Sequence, residues 1–141
     1  MTILPPDKKK NKMVMEKVKF ELEFLMNTSR KILFNFISTP SGLSGWFADD
    51  VHIRGDVFTF IWEGSEEKAK LLTKKKDESV KFRWVANEPD DKSYFELRLH
   101  NDPLTRQLIL FITDFAEEDE IEDAKMLWES QVEDLKHKLG I

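Results

Sequence analysis

The chain contains no cysteine, which excludes disulfides, thiolate nucleophiles and zinc sites built on sulfur. Histidine is nearly as scarce. His52, His100 and His137 are the only three, and no two stand at metal-ligand spacing. The 5 glycines are scattered and form no phosphate-cradling motif. Gly42-Leu43-Ser44-Gly45 resembles a nucleophile elbow only superficially, because the pattern needs glycine where Trp46 stands. Adjacent acids such as Asp49-Asp50 and Asp90-Asp91 fall on turns, where they read as solvated charges rather than an acid/base pair. The sequence therefore points to no catalytic residue, no metal and no cofactor, and the protein is expected to be no enzyme.

Long apolar runs are missing as well. No stretch approaches the ~18 to 20 continuous apolar residues of a membrane span. Met1 to Leu4 is followed at once by Pro5, Pro6 and a lysine run, so no signal-peptide apolar core is visible and a cytoplasmic location is the simplest expectation. With 22 basic against 27 acidic residues the net charge is −5, which lacks the basic field a general nucleic-acid binder needs. The charge is uneven, however. Lys8, Lys9, Lys10 and Lys12 form one basic run and Lys74, Lys75 and Lys76 another, while ten acids face one base between Asp114 and Asp134. Most such runs are solvated faces.

What the chain has is aromatic bulk: 11 Phe and 4 Trp against 1 Tyr, in 141 residues. That length supports one domain with a core of its own. Residues 1–14 carry two prolines and the lysine run without periodicity and read as a disordered basic arm, leaving 15–141 as the domain; Met15 is an equally good natural start.

From Lys17 to Phe24 charge and apolar bulk alternate, a half-buried strand with Val18, Phe20, Leu22 and Phe24 inward. Asn27, Thr28 or Ser29 can cap a helix through Arg30 to Ile37. Thr39-Pro40 then opens a short helix carrying Leu43, Trp46 and Phe47. Six strands with mostly hairpin-length connections follow: Val51 to Arg54, Val57 to Glu63, Glu67 to Thr73, Val80 to Trp84, Tyr94 to Leu99, and Leu108 to Phe115. The last is apolar on both faces, which predicts a central strand or one covered on both sides. Ile121, Ala124, Trp128, Val132, Leu135 and Leu139 trace the stripe of one long final helix, with acids at its start, Lys136, His137 and Lys138 in its last turn, and Gly140 at its C-cap. Such segregation predicts an α+β fold, an antiparallel sheet with the helix laid across it.

Phe58, Phe60 and Trp62 share one strand parity, Phe82 and Trp84 another, and Trp128 faces them from the helix. These rings are either plain core or the wall of an apolar pocket.

The succession Leu33 to Ile37, Thr39-Pro40, Leu43, Trp46-Phe47, Asp50-Val51, Gly55, Phe58, Phe60 and Trp62 resembles the START-like (SRPBCC) superfamily. Within it the chain is most similar to the bacterial branch related to the heat-shock-chaperone ATPase activator (Aha-type) domain. Leu127-Trp128-Glu129 with Val132, Leu135 and Leu139 matches that family's tryptophan-bearing final helix, and the resemblance covers Lys17 to Leu139. It implies a helix-grip fold: a seven-stranded curved antiparallel sheet wrapped around the C-terminal helix, with two short helices between strands 1 and 2. It also implies a cavity, so a non-enzymatic module binding a small hydrophobic or amphipathic ligand, lipid-like or polyketide-like, is the leading expectation. The expected pocket wall comprises Phe36, Trp46, Phe47, Phe58, Phe60, Trp62, Phe82, Trp84, Leu97, Leu127, Trp128 and Gln131, with Gln131 as a polar anchor. A pocket-lining Trp128 would lose little on truncation, and the smaller loss is expected. The alternatives are a co-chaperone-like regulatory domain with a protein partner and, third, a cyclase- or hydrolase-like enzyme of the same superfamily.

Overall fold

The computed structural model describes residues 16–141, so the expected basic arm lies outside the described residues. In chain order the elements are β1 (Lys17–Met26), α1 (Arg30–Ser38), α2 (Pro40–Leu43), β2 (Asp50–Arg54), β3 (Val57–Trp62), β4 (Ser65–Lys75), β5 (Ser79–Trp84), β6 (Phe95–Asn101), β7 (Leu108–Glu117) and α3 (Ile121–Leu139). The seven strands form one antiparallel sheet in the order β1-β7-β6-β5-β4-β3-β2. Every neighbour except β1 follows its partner by a short connection. β1 pairs instead with the last strand, from Lys17 opposite Glu117 to Met26 opposite Leu108. This is the α+β helix-grip arrangement expected.

Local chemistry explains the helices. The Ser29 hydroxyl accepts from the Ile32 amide at 3.1 Å and starts α1. The Thr39 hydroxyl accepts from the Gly42 amide at 2.9 Å, and Pro40 occupies the first position of α2. α2 is shorter than expected: it ends at Leu43, and Trp46 and Phe47 sit on the following loop. Gly45 is the reason, since its φ of 93° departs from helical backbone. α3 ends at Gly140 with φ 73°, whose amide donates to the His137 carbonyl at 3.1 Å.

The inner sheet face and α3 enclose the core, in which Phe58, Phe60, Val80, Phe82, Leu97, Leu110, Ile112, Val132 and Leu135 are fully buried. β7 is an interior strand but not the central one expected: it stands second from the edge, between β1 and β6. Its outward residues are covered by neighbouring side chains rather than by a second layer. The Arg98 guanidinium lies 4.6 Å from the Phe111 ring centre, and Tyr94 packs 5.0 Å from Phe115.

β4 is irregular. It pairs Leu71 with Phe82 and then Thr73 with Lys81, leaving Leu72 as an extra residue. This bulge inverts the parity of the strand. Beyond it Lys74 stands opposite the fully buried Val80, so Lys74 falls on the concave face.

Candidate functional site

The expected wall residues are brought together with two exceptions. Trp46, Phe47, Phe58, Phe60, Trp62, Phe82, Trp84 and Trp128 form one continuous set of ring contacts, with centroid separations between 4.9 and 6.2 Å. Leu97 is buried in the same core. Phe36 is half-buried and lines a groove beside α1 instead. Leu127 is 60% exposed on the outer side of α3, because the buried stripe runs through Trp128, Val132 and Leu135 and turns Leu127 away.

Phe47 is the hub. Its ring touches Trp46, Phe60, Trp62, Phe95 and Trp128, stacking on Phe95 at 5.6 Å and on Trp128 at 5.5 Å. It is borne by the loop between α2 and β2, whereas the rings of β3, β5 and β6 belong to the sheet. Its carbonyl accepts from the Trp62 indole at 2.8 Å and from the Gln131 amide at 2.9 Å. Gln131 thus anchors the loop to α3. The Trp46 indole donates to the Phe36 carbonyl at 3.0 Å, tying α1 to the same loop.

Two residues of this site were not singled out in the sequence. Phe95 contacts Phe47, Phe82, Trp84 and Trp128. Asp114 shares the inward parity of Leu110 and Ile112 and accepts from the Trp128 indole at 2.8 Å. Burial pushes its carboxyl above the ordinary carboxylate range, and the bonds from Trp128 and the Phe115 amide offset that only in part. The signal was available: a carboxylate at an inward position of an apolar strand is an anomaly that parity reveals.

The histidines lie elsewhere. His52 pairs with Asp50 at 3.2 Å on exposed β2, and His100 packs beside Phe111 on the outer face. Among the described residues, no three His, Asp or Glu side chains gather as a metal ion requires. No helix among them is long and apolar enough to cross a membrane.

Residues 14–141 match the family model of the START-like superfamily domain. The chain belongs to that superfamily. The Bacteroides fragilis protein BfR322, solved in solution, shares 40% sequence identity over 90% of this chain and 94% of its own, with a TM-score of 0.61. The Aha1 dimer from Colwellia psychrerythraea shares 17% identity over 84% of this chain and 93% of its own, with a TM-score of 0.71. Protein MLL2253 from Mesorhizobium loti shares 15% identity over 87% of this chain and 97% of its own, with a TM-score of 0.70. No curated protein matches. At such identities the latter two likenesses concern the fold. The START-like fold is one of ligand-binding and regulatory domains.

Proposed function

We propose that this START-like domain is a non-catalytic binding module for a small hydrophobic or amphipathic ligand, received among the rings between the sheet and α3. The observation that supports it is the position of Phe47: a loop residue fills the middle of an otherwise rigid aromatic shell. Rings on paired strands can move only by changing rotamer, whereas a loop ring can also leave with its backbone once the bonds from Trp62 and Gln131 to the Phe47 carbonyl are given up. A ligand in its place would stack on the same faces of Phe95 and Trp128 and satisfy the same apolar surface. Asp114 and Gln131 supply the sparse polar groups such sites use for orientation. Titration with laurate and with a flat polycyclic phenol, followed by tryptophan fluorescence, tests this. A saturable change is expected, larger in Phe47→Ala, which empties the hub; no response in either protein would overturn the proposal.

A second reading, a regulatory domain resembling a co-chaperone with a protein partner, is supported by the exposed charge. Glu118, Asp119 and Glu120 form an acidic turn before α3, and Lys74, Lys75 and Lys76 stand exposed at the β4–β5 turn. The shared fold with the Colwellia Aha1 dimer points the same way.

A further inference from the structure

α1 packs against β5 and β6 more than against the end of β4, and a groove lies beside that end. The groove, of about 610 Å³, is open to solvent and walled by Ile32, Phe34 and Phe36 from α1 and by the tip of the β4–β5 hairpin. Ile32 is 51% exposed in that wall, a large aliphatic side chain turned to solvent. Three lysines stand on the rim. Lys31 comes from α1, Lys76 from the turn, and Lys74 from β4 by way of the Leu72 bulge, which aims it at the concave side. Without the extra residue Lys74 would face the opposite side of the sheet. Among the described residues none of the three forms an ion pair, and Asp77 is the one acid on the rim.

The groove continues past Lys76 and Asp77 into a second, polar trough of about 410 Å³ that reaches Arg30 and His100. The Arg30 guanidinium donates to the Asp77 carbonyl at 2.8 Å and to the Asn101 side-chain oxygen, both uncharged acceptors. Those partners fix its position without neutralising it, while Asp77 and Glu78 line the same trough, so the trough is mixed in charge and the basic rim of Lys31, Lys74 and Lys76 belongs to the first groove.

We propose that this groove is a docking site for an acidic segment of a partner protein carrying one or two large apolar side chains. The apolar residues would seat on Ile32, Phe34 and Phe36 and the acids would meet Lys31, Lys74 and Lys76. Charge complementarity selects the occupant, since a basic segment would face three like charges. The open shape and the continuation into the Arg30 trough suit an extended chain better than a compact molecule. This site deepens the regulatory reading, whose Lys74 and Lys76 it shares, and is separate from the ring cluster, so either can fail without the other.

The test uses the whole protein and a fluorescein-labelled synthetic peptide of alternating Glu-Glu-Leu and Glu-Glu-Phe units, with a control in which lysine replaces every glutamate. Anisotropy should show saturable binding of the acidic peptide only, weakening steeply as salt shortens the screening length from about 10 Å at 0.1 M. Lys74→Glu with Lys76→Glu should lower affinity at least about tenfold, because each exchange sets like charges face to face. Lys74→Ala with Lys76→Ala should give an intermediate loss, and both pairs are exposed positions whose change leaves the core intact. Amide shifts should map to α1 and the turn around Lys76. Equal binding of the lysine peptide, unchanged binding by the glutamate variant, or shifts centred on α3 would overturn the proposal. So would a wild-type dimer in sedimentation that the glutamate variant dissolves, which would give the groove to a second copy.

Discussion

The Trp128 indole donates to the Asp114 carboxylate across 2.8 Å, joining the middle of α3 to the inner face of β7. The bond answers a conflict that the strand itself creates, because an inward carboxylate on an apolar strand must find donors or remain protonated.

Stability should therefore carry a pH signature from Asp114. Burial raises its folded-state carboxyl above the unfolded value, so in that window the native state holds more protons than the unfolded one. Its contribution is most favourable below the unfolded value of about 4 and is lost as pH rises through the folded one. Asp114→Asn should gain stability relative to wild type as pH climbs from about 4 to 7. Urea melts across that range measure the difference, and a flat difference would contradict it.

Trp128 is 5% exposed and stacked on Phe47, which makes it core in this structure rather than a loosely packed wall residue. The expected loss for Trp128→Ala is accordingly about 3 to 5 kcal/mol, larger than the pocket reading of the sequence suggested. Trp128→Phe keeps a ring but removes the donor to Asp114, and should cost about 1 to 3 kcal/mol while steepening the pH dependence above. Denaturant melts of the two variants separate packing from hydrogen bonding.

Asp91 should act in the opposite direction at acid pH. Burial alone would raise its carboxyl, but bonds from Lys17 at 2.7 Å and from Ser93, with the charge of Lys17, bring it down to about 2. The stability it contributes is present above the unfolded value of about 4 and is lost as pH falls toward 2. The pair is partly exposed, so Lys17→Met should cost no more than about 1 kcal/mol at neutral pH. Its acid midpoint should shift upward, as far-UV circular dichroism would show.

At Gly45 two obstacles coincide. A Cβ there would stand 2.6 Å from the Lys138 ammonium, and the φ of 93° disfavours any side chain. The lysine is flexible and can move; the backbone cannot. Gly45→Ala should lose about 1 to 3 kcal/mol, and adding Lys138→Ala should restore little of it. Full rescue in thermal melts would place the cost on the contact instead.

Much of the architecture was legible because alternation is a direct consequence of strand geometry, as Val80, Phe82 and Trp84 or Phe95, Leu97 and Leu99 illustrate. The final helix was legible for the same reason at a period of 3.6. The Leu72 bulge was not, since Ala69 and Leu71 are the only inward apolar residues before it and too short a run for an extra residue to break visibly. Leu127 was misplaced because a position at the margin of a helical stripe turns on a few degrees of rotation. Asp114 is hidden in the sequence as the first member of an acidic run, although strand parity sets it apart from Glu118 and its neighbours.

The pairing of β1 with β7 has a consequence for how the molecule is made. Of the described strands β1 is synthesised first, yet among them its partner in the sheet is the last. During translation it must wait, with Phe20 and Met26 exposed, until nearly the whole domain has left the ribosome. The hairpins from β2 to β6 can form meanwhile through near neighbours. Closing the sheet is then a late step burdened by the loop entropy of everything in between, and it ends the interval in which the nascent chain is most open to capture by chaperones or by other copies of itself.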